Sequence, residues 1–592
     1  MTSTALAAGD LCEAFARTVA ARPDEVAMRS SDGAVSLTWR EADAAVRAAA
    51  AGLAALGLAA GGTTAMMLSN RYEAPVVDLA TLHRGAVPVS VYNSSAVGQL
   101  TYLLDDSGTD VLVTEAQFAE KARAAIARTT RRPRLVVVDG DGTVETNWAQ
   151  LLSLAPALAP GSRPALSPDD VLTVVYTSGT TGVPKGAELT HFNILEQIRG
   201  LHSLGRLPAG GRALSYLPFA HMGDRLCAYY MPIVMGATIT YHPVAKTAAG
   251  LLPEIQPTLY MAVPRIWNHL QNVAVQVISN SSHKDELEEA IELGYRLHDD
   301  RLADREQDTT VRAAWQAHDP VLRELRRTLG LEAGELLFTG AAPLPPETLR
   351  FFAAIGVDLC ECYGQSETAG IILCNPAGAA RPVTNGLPLP GVTAKIAEDG
   401  ELLLQGPMVM KGYRGKPELT AEAIDSDGWL HTGDVFVTDE AGYYRIVDRK
   451  KEILVSSSGK NVSPVLVENT LAAATPLIAT SVCIGDARAY ITALVVLDPE
   501  AAAGITGETD PARNAVHPAV LDRLRAAIHA ANQNLNAAEQ VRRFLVLGAT
   551  WLPGTEELTP TMKVRRKPID AKYAAEIDLL YGPPSERVLD VS

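Results

Sequence analysis

Residues 176–186 read Tyr176-Thr-Ser-Gly-Thr-Thr-Gly-Val-Pro-Lys-Gly186, and this stretch decides the interpretation of the chain. It follows the apolar, β-branched run 171–175, which predicts a buried strand, and it precedes 191–199, which predicts a helix. Glycines let backbone N–H groups approach an anion, and the Ser and Thr hydroxyls add hydrogen-bond donors. Lys185 adds a mobile positive charge. The stretch therefore predicts a loop between a strand and a helix that wraps phosphate groups.

The spacing differs from that of the Walker A motif, in which a glycine directly precedes the lysine. Here Gly182 stands three residues before Lys185, and Pro184 lies between them. An ordinary surface turn rich in Gly and Thr is the alternative, and a bare Gly-Thr-Thr-Gly would favour it. The presence of all eleven residues favours the phosphate loop.

The composition indicates a globular protein of several domains. The chain has 592 residues, of which 47% are hydrophobic and 20% charged, so burial of a core is not limiting. The net charge of −16 disfavours binding of nucleic acid or anionic membrane across the whole surface, while a local basic patch stays open. The six cysteines include no Cys-x-x-Cys pair, which disfavours a disulfide framework and a zinc site.

The N-terminal residues lack the basic and apolar regions of a signal peptide. The most apolar stretch, 48–60, is mostly alanine and predicts a packed helix rather than a membrane-spanning one. We therefore expect a cytoplasmic protein without a transmembrane segment. Peripheral contact with the inner face of a membrane stays open, as does the oligomeric state.

Strand-like apolar runs alternate with helical stretches from about residue 36 to 440, which predicts α/β layers. The clearest predicted strands are 63–68, 110–114, 135–138 and 335–339. Residues 283–329 are charged and predict two exposed helices inserted into this fold. The apolar residues that keep a helical spacing there are Leu287, Ile291, Leu322 and Leu325.

The α/β pattern restarts after Asp448-Arg-Lys-Lys451 as a smaller unit. Its predicted elements are strands at 481–484 and 491–496 and a helix at 518–534. We therefore predict an α/β fold with three parts: a large N-terminal domain of layered sheets and helices (1–447), a hinge (448–451) and a small, mobile C-terminal domain (452–592).

Two further motifs follow predicted strands of the large domain. The small residues of Thr339-Gly-Ala-Ala-Pro-Leu344 let a flat base lie against the backbone, or simply allow close packing. In Tyr363-Gly-Gln-Ser-Glu-Thr368, the aromatic face of Tyr363 suits a π-rich base. Glu367 can hold Mg²⁺ through a carboxylate oxygen, or it is an acid favoured near a helix N-terminus.

Three more motifs lie towards the C-terminus. Asp427-Gly-Trp-Leu-His-Thr-Gly-Asp434 ends in a carboxylate that has two acceptor oxygens. Tyr444-Arg-Ile-Val-Asp-Arg-Lys-Lys-Glu452 contains a charge run that alone would predict a solvated turn. Leu558-Thr-Pro-Thr-Met-Lys-Val-Arg-Arg566 carries a basic cluster that alone would predict a tail without a ligand.

In this order, the motifs resemble those of the adenylate-forming superfamily, which includes acyl-CoA synthetases, luciferases and peptide-synthetase adenylation domains. The resemblance covers about residues 30–570. The chain departs from the family at Ser366, where threonine is usual, and at Met562, where many relatives have glycine. The long-chain branch commonly lacks that glycine, so the second departure is mild.

The resemblance implies ATP, Mg²⁺ and coenzyme A, the last as co-substrate. It implies that Asp434 binds both ribose hydroxyls, that Arg449 contacts the nucleotide and that Lys451 is the hinge position. The implied catalytic residues are Lys563, Lys185, Glu367 and His221, and the implied Mg²⁺ ligands are Thr180 and Glu367. The implied nucleotide contacts are Thr177, Ser178, Gly179, Thr180, Thr181, Gly182, Lys185, Gly340, Ala341, Ala342, Tyr363, Gly364, Ser366, Asp434 and Arg449.

Within the superfamily, the chain resembles the long-chain fatty acyl-CoA synthetase branch. The resemblance rests on Ser215-Tyr-Leu-Pro-Phe-Ala-His-Met-Gly-Asp-Arg225, on Val263-Pro-Arg-Ile-Trp267 and on the insertion, although Asn268 stands where an acid is common. The implied reaction activates a fatty acid with ATP to acyl-AMP, releases pyrophosphate and transfers the acyl group to CoA. The preferred acyl chain length is left open.

Four alternatives remain. A fatty acyl-AMP ligase that loads a carrier protein usually has an extra insertion, and only sixteen residues separate Cys374 from Gly391. An amino-acid adenylation domain is disfavoured because Asp224, which could hold an amino group, has Arg225 beside it as a local partner. A CoA ligase for another hydrophobic carboxylate and a non-catalytic nucleotide sensor also stay open.

Overall fold

The computed structural model describes residues 4–177, 184–204, 207, 209–303, 305–340, 344–376, 381–457, 460–552, 554–559, 563–583 and 585–591. The chain divides into two compact units. The large unit comprises Met1–Ala394, Leu404–His431 and Glu440–Tyr444, and the small unit comprises Lys395–Leu403, Thr432–Asp439 and Arg445–Ser592. The predicted α/β class is confirmed, and the predicted hinge at 448–451 stays a prediction.

Two sheets form the large unit. Sheet A has, in spatial order, the described strands Leu387–Pro388, Gly370–Cys374, Leu359–Gln365, Leu336–Thr339, Leu259–Ala262, Arg212–Ser215, Thr238–Tyr241, Val26–Ser30 and Ser36–Thr38. Sheet B has, in spatial order, the described strands Gly412–Tyr413, Lys185–Thr190, Val171–Thr177, Val87–Ser90, Thr63–Met67, Val111–Thr114 and Arg134–Val137. The four strands predicted between 63 and 339 are confirmed to within one residue at each end.

Most neighbouring strands in both sheets are parallel, as expected when helices connect them. The helices of the large unit are Leu11–Ala21, Trp39–Ala55, Glu73–Leu82, Val97–Ser107, Ala116–Ile126, Trp148–Ser153, His191–Ser203, Met222–Asp224, Met231–Met235, Leu252–Ile255, Pro264–Ser279, Lys284–Leu302, Thr309–Ala317, Asp319–Leu329, Pro346–Ala354 and Pro417–Ala423. A π-helical turn occupies Arg225–Tyr230, and 3₁₀ turns occupy Thr4–Ala7, Ala245–Leu251 and Ser366–Thr368.

The insertion differs from the prediction, because the described residues between 283 and 329 form three helices rather than two exposed ones. The additional helix, Thr309–Ala317, begins at Asp308, whose carboxylate accepts a hydrogen bond from the Thr310 N–H at 2.8 Å. The apolar residues noted in the sequence point inwards and join the core around Trp267 and Phe352. These residues are Leu287, Ile291, Leu322 and Leu325.

The predicted packed helix at 48–60 overlaps the last turns of Trp39–Ala55, and the observed helix ends at Ala55, earlier than expected. Gly57 has a φ of +101°, a backbone conformation that cannot continue a right-handed helix. No helix in the described part of the chain is both long enough and apolar enough to cross a membrane.

The small unit has its own sheet and core. Sheet D has, in order, the strands Ile478–Ile484, Ile491–Leu497, Val541–Leu547 and Leu589–Asp590. Its helices are Pro464–Ala474, Pro499–Thr506, Pro511–Asn514, Pro518–Asn532, Arg566–Lys572 and Ala574–Tyr581. The remaining described strands form sheet C, in the order Thr393–Ile396, Glu401–Gln405, Leu430–Thr438 and Tyr444–Arg449, and a pair, Leu454–Val455 with Asn461–Val462.

A buried ion pair joins the helical segments of the large unit. The Arg225 guanidinium contacts the Asp78 carboxylate, and the two side chains are 1% and 0% exposed. Arg225 also donates to the Ser90 hydroxyl at 2.7 Å, and Tyr229 donates to Asp78 at 3.0 Å. Burial raises the pKa of Asp78, even though Arg225 opposes the shift. The pair is therefore stable only while both partners are present.

We expect Arg225→Met to destabilise the large unit by about 3–5 kcal/mol, because it leaves the Asp78 carboxylate buried without its cation. The measurement is the urea midpoint of the unfolding transition. Arg40→Met is the matched control, because its partner Asp24 is 82% exposed and such a pair contributes at most about 1 kcal/mol. Equal midpoints for the two variants would contradict the account.

Candidate active site

The predicted phosphate loop connects two strands, so the prediction of a loop between a strand and a helix is wrong. Val171–Thr177 pairs antiparallel with Lys185–Thr190, and Thr177 stands opposite Lys185. The helix His191–Ser203 begins only after this second strand, capped by Thr190. The second strand has only six residues and begins with Lys-Gly-Ala, so its own pattern is too weak to predict a strand.

Lys185 and Glu367 come together through a third side chain, Tyr413. The Tyr413 hydroxyl donates to Glu367 Oε1 at 2.8 Å, and Lys185 Nζ lies 5.0 Å from the centre of the Tyr413 ring. Burial and the adjacent Glu367 carboxylate raise the pKa of Tyr413, so the phenol keeps its proton and donates it. A cation over an aromatic face is attracted to the ring, so Tyr413 holds both residues.

The pairing of a short strand places Tyr413. In Gly412–Tyr413, Tyr413 pairs with Ala187 and Gly412 with Glu188 in the antiparallel sense. The Met410 N–H donates to the backbone oxygen of Glu367 at 2.8 Å, which ties the same segment to the turn that carries Glu367. Sequence reasoning missed Tyr413, because a strand of two residues has no periodicity.

Three of the predicted site segments follow parallel strands of sheet A. Gly340 directly follows the strand Leu336–Thr339. The Tyr363 motif begins in the last residues of the strand Leu359–Gln365, and His221 comes after the strand Arg212–Ser215 in the chain. These strands and the intervening Leu259–Ala262 are parallel neighbours, so their carboxyl ends share one edge of the sheet. Ligands of open α/β sheets bind at this edge, so the structure brings these segments to one face.

Tight packing requires glycine at the centre of the Tyr363 motif. A Cβ at Gly364 would lie 1.5 Å from the carbonyl oxygen of Gly370 on the adjacent strand, so no larger residue fits. Tyr363 is mostly buried, and Gln365 Nε2 donates to its hydroxyl at 2.9 Å. Ser366 begins the 3₁₀ turn that carries Glu367. Gly340 also packs closely, because a Cβ there would lie 3.2 Å from Cys362 Sγ.

His221 caps the short helix Met222–Asp224. Its Nδ1 accepts a hydrogen bond from the Gly223 N–H at 3.1 Å, which places the proton of a neutral ring on Nε2. Nε2 is then the other polar atom of the ring. The structure therefore supports an orienting or capping role, and the predicted catalytic role of His221 stays a prediction.

Asp224 and Arg225 do not form the local pair that the sequence suggested, because Arg225 points to Asp78. Asp224 instead accepts hydrogen bonds from the Ser215 hydroxyl at 2.7 Å and from Asn70 Nδ2 at 3.3 Å. Burial raises the pKa of Asp224 to about 7, against the hydrogen bonds that lower it. Through these hydrogen bonds, the buried Asp224 carboxylate fixes the segment before His221 to the rest of the unit. A carboxylate used in this way is again disfavoured as the group that holds the amino group of a substrate.

The small unit brings Asp434 and Arg449 together. Asp434 lies in Leu430–Thr438 and is buried, and Arg449 ends Tyr444–Arg449. Arg449 Nε lies 3.3 Å from Asp434 Oδ1, and the Arg449 side chain is 41% exposed. The pair presents one buried carboxylate and one accessible cation side by side, which suits a polar ligand.

Lys563 belongs to the same unit, and Leu558 and Val564 beside it pair in an isolated antiparallel bridge. Its backbone N–H donates to the Thr559 hydroxyl at 2.9 Å, and its side chain is exposed. Arg566, from the same basic cluster, is instead mostly covered and forms an ion pair with Glu468 at 2.8 Å. The cluster is therefore not a uniformly solvated tail, because one of its members is structural.

Seven predicted nucleotide contacts lie outside the residues that the structure describes, and their roles stay predictions. They are Ser178, Gly179, Thr180, Thr181, Gly182, Ala341 and Ala342. Thr177, which precedes the first five, lies at the end of a strand of sheet B.

Comparison with protein families gives a match along most of the chain. The family described as AMP-binding enzyme matches residues 15–414, and the AMP-binding enzyme C-terminal domain matches residues 451–584. The first match alone covers more than half of the chain and includes Lys185, Gly340, Tyr363 and Glu367.

Two curated relatives and one solved structure extend this result. A Mycobacterium tuberculosis protein with the provisional name fatty-acid–CoA ligase fadD11 is 42% identical, over 71% of this chain and 75% of that protein. The long-chain-fatty-acid–CoA ligase FadD15 of Mycobacterium bovis is 34% identical, over 95% of each chain.

The crystal structure of the anthranilate CoA ligase AuaEII with anthranoyl-AMP matches with a TM-score of 0.73 and 20% identity. It covers 96% of this chain and 98% of that one. At this identity the likeness shows the fold, with its large and small domains. The chain therefore belongs to the AMP-binding enzyme family and has the fold of the adenylate-forming enzymes.

Proposed function

We propose that this chain is an AMP-forming, long-chain fatty-acid–CoA ligase. The observation that carries the proposal is the similarity to FadD15, which spans 95% of both chains. Within the large unit, the proposal is supported by Lys185 and Glu367, a cation and a carboxylate held by one tyrosine beside the predicted phosphate loop. The predicted cytoplasmic location stays a prediction.

We propose that each motif binds one part of ATP. The phosphates meet the loop after Thr177 and the charge of Lys185. The adenine meets Gly340 and Tyr363, and Asp434 accepts hydrogen bonds from the ribose hydroxyls. Arg449, 3.3 Å from Asp434, would offer a cation to the same nucleotide, since its side chain is partly exposed.

Glu367 fits the proposed Mg²⁺ site. One of its carboxylate oxygens accepts the Tyr413 hydrogen bond, and the other, Oε2, has no hydrogen-bond partner among the described residues. A single free carboxylate oxygen suits Mg²⁺, which keeps several waters and prefers one or two carboxylates with substrate phosphates. When bound, the ion would neutralise negative charge on the phosphates. Thr180, the second proposed ligand, lies outside the described residues.

The first half-reaction joins two anions, a fatty-acid carboxylate and ATP. The carboxylate oxygen attacks the α-phosphorus, the bond to pyrophosphate breaks, and acyl-AMP forms. The barrier is largely electrostatic repulsion and positioning, so cations fixed before the reaction lower it most. Lys185 and Lys563 would supply that charge. In the second half-reaction, the CoA thiol attacks the acyl carbonyl and AMP leaves, which requires no nucleophile from the protein.

We expect ATP-dependent formation of acyl-CoA, with one AMP and one pyrophosphate per thioester, across a series of saturated fatty acids. The highest kcat/KM is expected for medium to long chains. The measurement is mass spectrometry of the thioester alongside coupled assays of AMP and pyrophosphate. Lys185→Met, which removes the phosphate-facing cation, is the inactive control. Production of ADP, or activity with free amino acids alone, would overturn the proposal.

We expect Lys563→Ala to lose about 100-fold or more in acyl-adenylate formation, because it removes a charge that offsets developing negative charge. The same variant should convert premade acyl-AMP and CoA to thioester at a rate near that of the unmodified protein. Each half-reaction is measured separately by rapid quench. Lys567→Ala, an exposed lysine of the same cluster, is the matched control. Equal losses in both half-reactions would show that Lys563 acts on structure alone.

A further inference from the structure

A cluster of charged and phenolic side chains lies at the base of the predicted phosphate loop. The Tyr176 hydroxyl donates to Asp106 Oδ2 at 2.8 Å, and the Lys416 ammonium contacts Asp106 Oδ1. The Tyr102 hydroxyl lies 3.0 Å from Asp106 Oδ1 and 3.1 Å from the carbonyl oxygen of Pro184. Three separate segments supply these side chains. None of them belongs to the motifs from which the function was inferred, apart from Tyr176 at the edge of the loop.

Tyr176 and Pro184 lie close to the two ends of the connection between the paired strands. Tyr176 directly precedes Thr177, the last residue of its strand, and Pro184 directly precedes Lys185, the first residue of the next. The cluster therefore contacts the chain on both sides of the connection between the two strands. Asp106 and Tyr102 lie on the helix Val97–Ser107, which gives both contacts one rigid base.

The contacts of Asp106 bear on where the Tyr102 proton goes. The Tyr102 hydroxyl has a single proton but two acceptors within reach, Asp106 and the Pro184 carbonyl. Lys416 has three protons. Burial lowers the pKa of its ammonium, but hydrogen bonds to Asp106 and Tyr102 outweigh burial and raise it. Because Lys416 contacts Asp106 Oδ1 and Tyr176 donates to Oδ2, both carboxylate oxygens have a donor without Tyr102, and the Tyr102 proton is available to the Pro184 carbonyl.

We propose that Asp106, Tyr102 and Lys416 form a positioning cluster that fixes both stems of the phosphate loop. Tyr176 is held through its hydroxyl and Pro184 through its carbonyl, so the backbone around Thr177 and Lys185 is ordered before ATP arrives. A site that is already ordered loses less conformational entropy when ATP binds, so its affinity for ATP is higher. The inference rests on the proposed function, because it assigns the phosphates to this loop.

Lys416 also links this cluster to the other half of the site. It follows Tyr413 by three residues, and the Tyr413 N–H donates to the Thr420 hydroxyl at 2.9 Å. A single short segment thus carries the tyrosine that holds Glu367 and the lysine that completes the stem contacts. The segment couples the position of the proposed metal ligand to the position of the loop.

The first test is Tyr102→Phe in the full chain, a change that removes one hydroxyl and keeps the ring. We expect KM for ATP to rise about 10-fold, the size of one lost hydrogen bond of about 1.4 kcal/mol, with KM for fatty acid within twofold. Amide hydrogen exchange in peptides that cover 176–186 should also quicken. Tyr295→Phe, a half-buried tyrosine of the inserted helix Lys284–Leu302, is the matched control and should change neither value.

The second test is a double-mutant cycle of Tyr102→Phe with Lys416→Met. Because both changes act through the Pro184 bond, the combined loss in ATP affinity should be clearly smaller than the product of the single losses. Multiplicative losses would overturn the proton assignment. Unchanged KM for ATP with unchanged exchange at 176–186 would overturn the positioning role, as would equal rises of KM for every substrate.

The design separates this inference from the proposed function. Isothermal titration with ATP and the exchange measurement need no acyl product, so both report on the cluster even if no fatty acid is activated. An unmodified protein that binds ATP but forms no thioester would refute the proposed function alone. Intact activity with an unaffected Tyr102→Phe variant would refute the cluster alone.

Discussion

The antiparallel pairing of Lys185–Thr190 with two neighbouring strands is the constraint on which the site depends. On one side, the pairing sets Thr177 opposite Lys185, and on the other it sets Tyr413 opposite Ala187. A slip of one residue in either pairing would turn every side chain to the opposite face, so register fixes which groups meet. Tyr413 can reach Glu367 and Lys185 together because both pairings hold.

The buried charge of Arg225 and the half-buried charge of Glu367 differ in how their polar atoms are satisfied. Arg225 is matched by Asp78, so this buried cation has its carboxylate and the cost of desolvation is offset. Glu367 is only half-buried and accepts one hydrogen bond on one oxygen, so it keeps capacity for a ligand. This contrast separates charges that stabilise the fold from charges that remain available for chemistry.

The sequence predicted the elements with long, regular patterns and the motifs whose residues are contiguous. The strands 63–67 and 336–339 and the stretch that ends at Asp434 are examples, because their signals are local. It missed contacts between distant segments. Tyr413 bonds a residue 46 positions away and Lys416 one 310 positions away, and no local pattern encodes such a pairing. The second strand of the hairpin was missed for a related reason, because its stability comes from two neighbours rather than from its own composition.

In the proposed mechanism, this chain activates a fatty acid by forming an adenylate before CoA takes part. Exchange of labelled pyrophosphate into ATP tests this most directly, because it needs only the first half-reaction and its reversal. We predict exchange that requires palmitate and Mg²⁺, proceeds without CoA and is lost in Glu367→Ala. Absence of exchange with any fatty acid from eight to eighteen carbons, or exchange that is independent of the carboxylate, would contradict it.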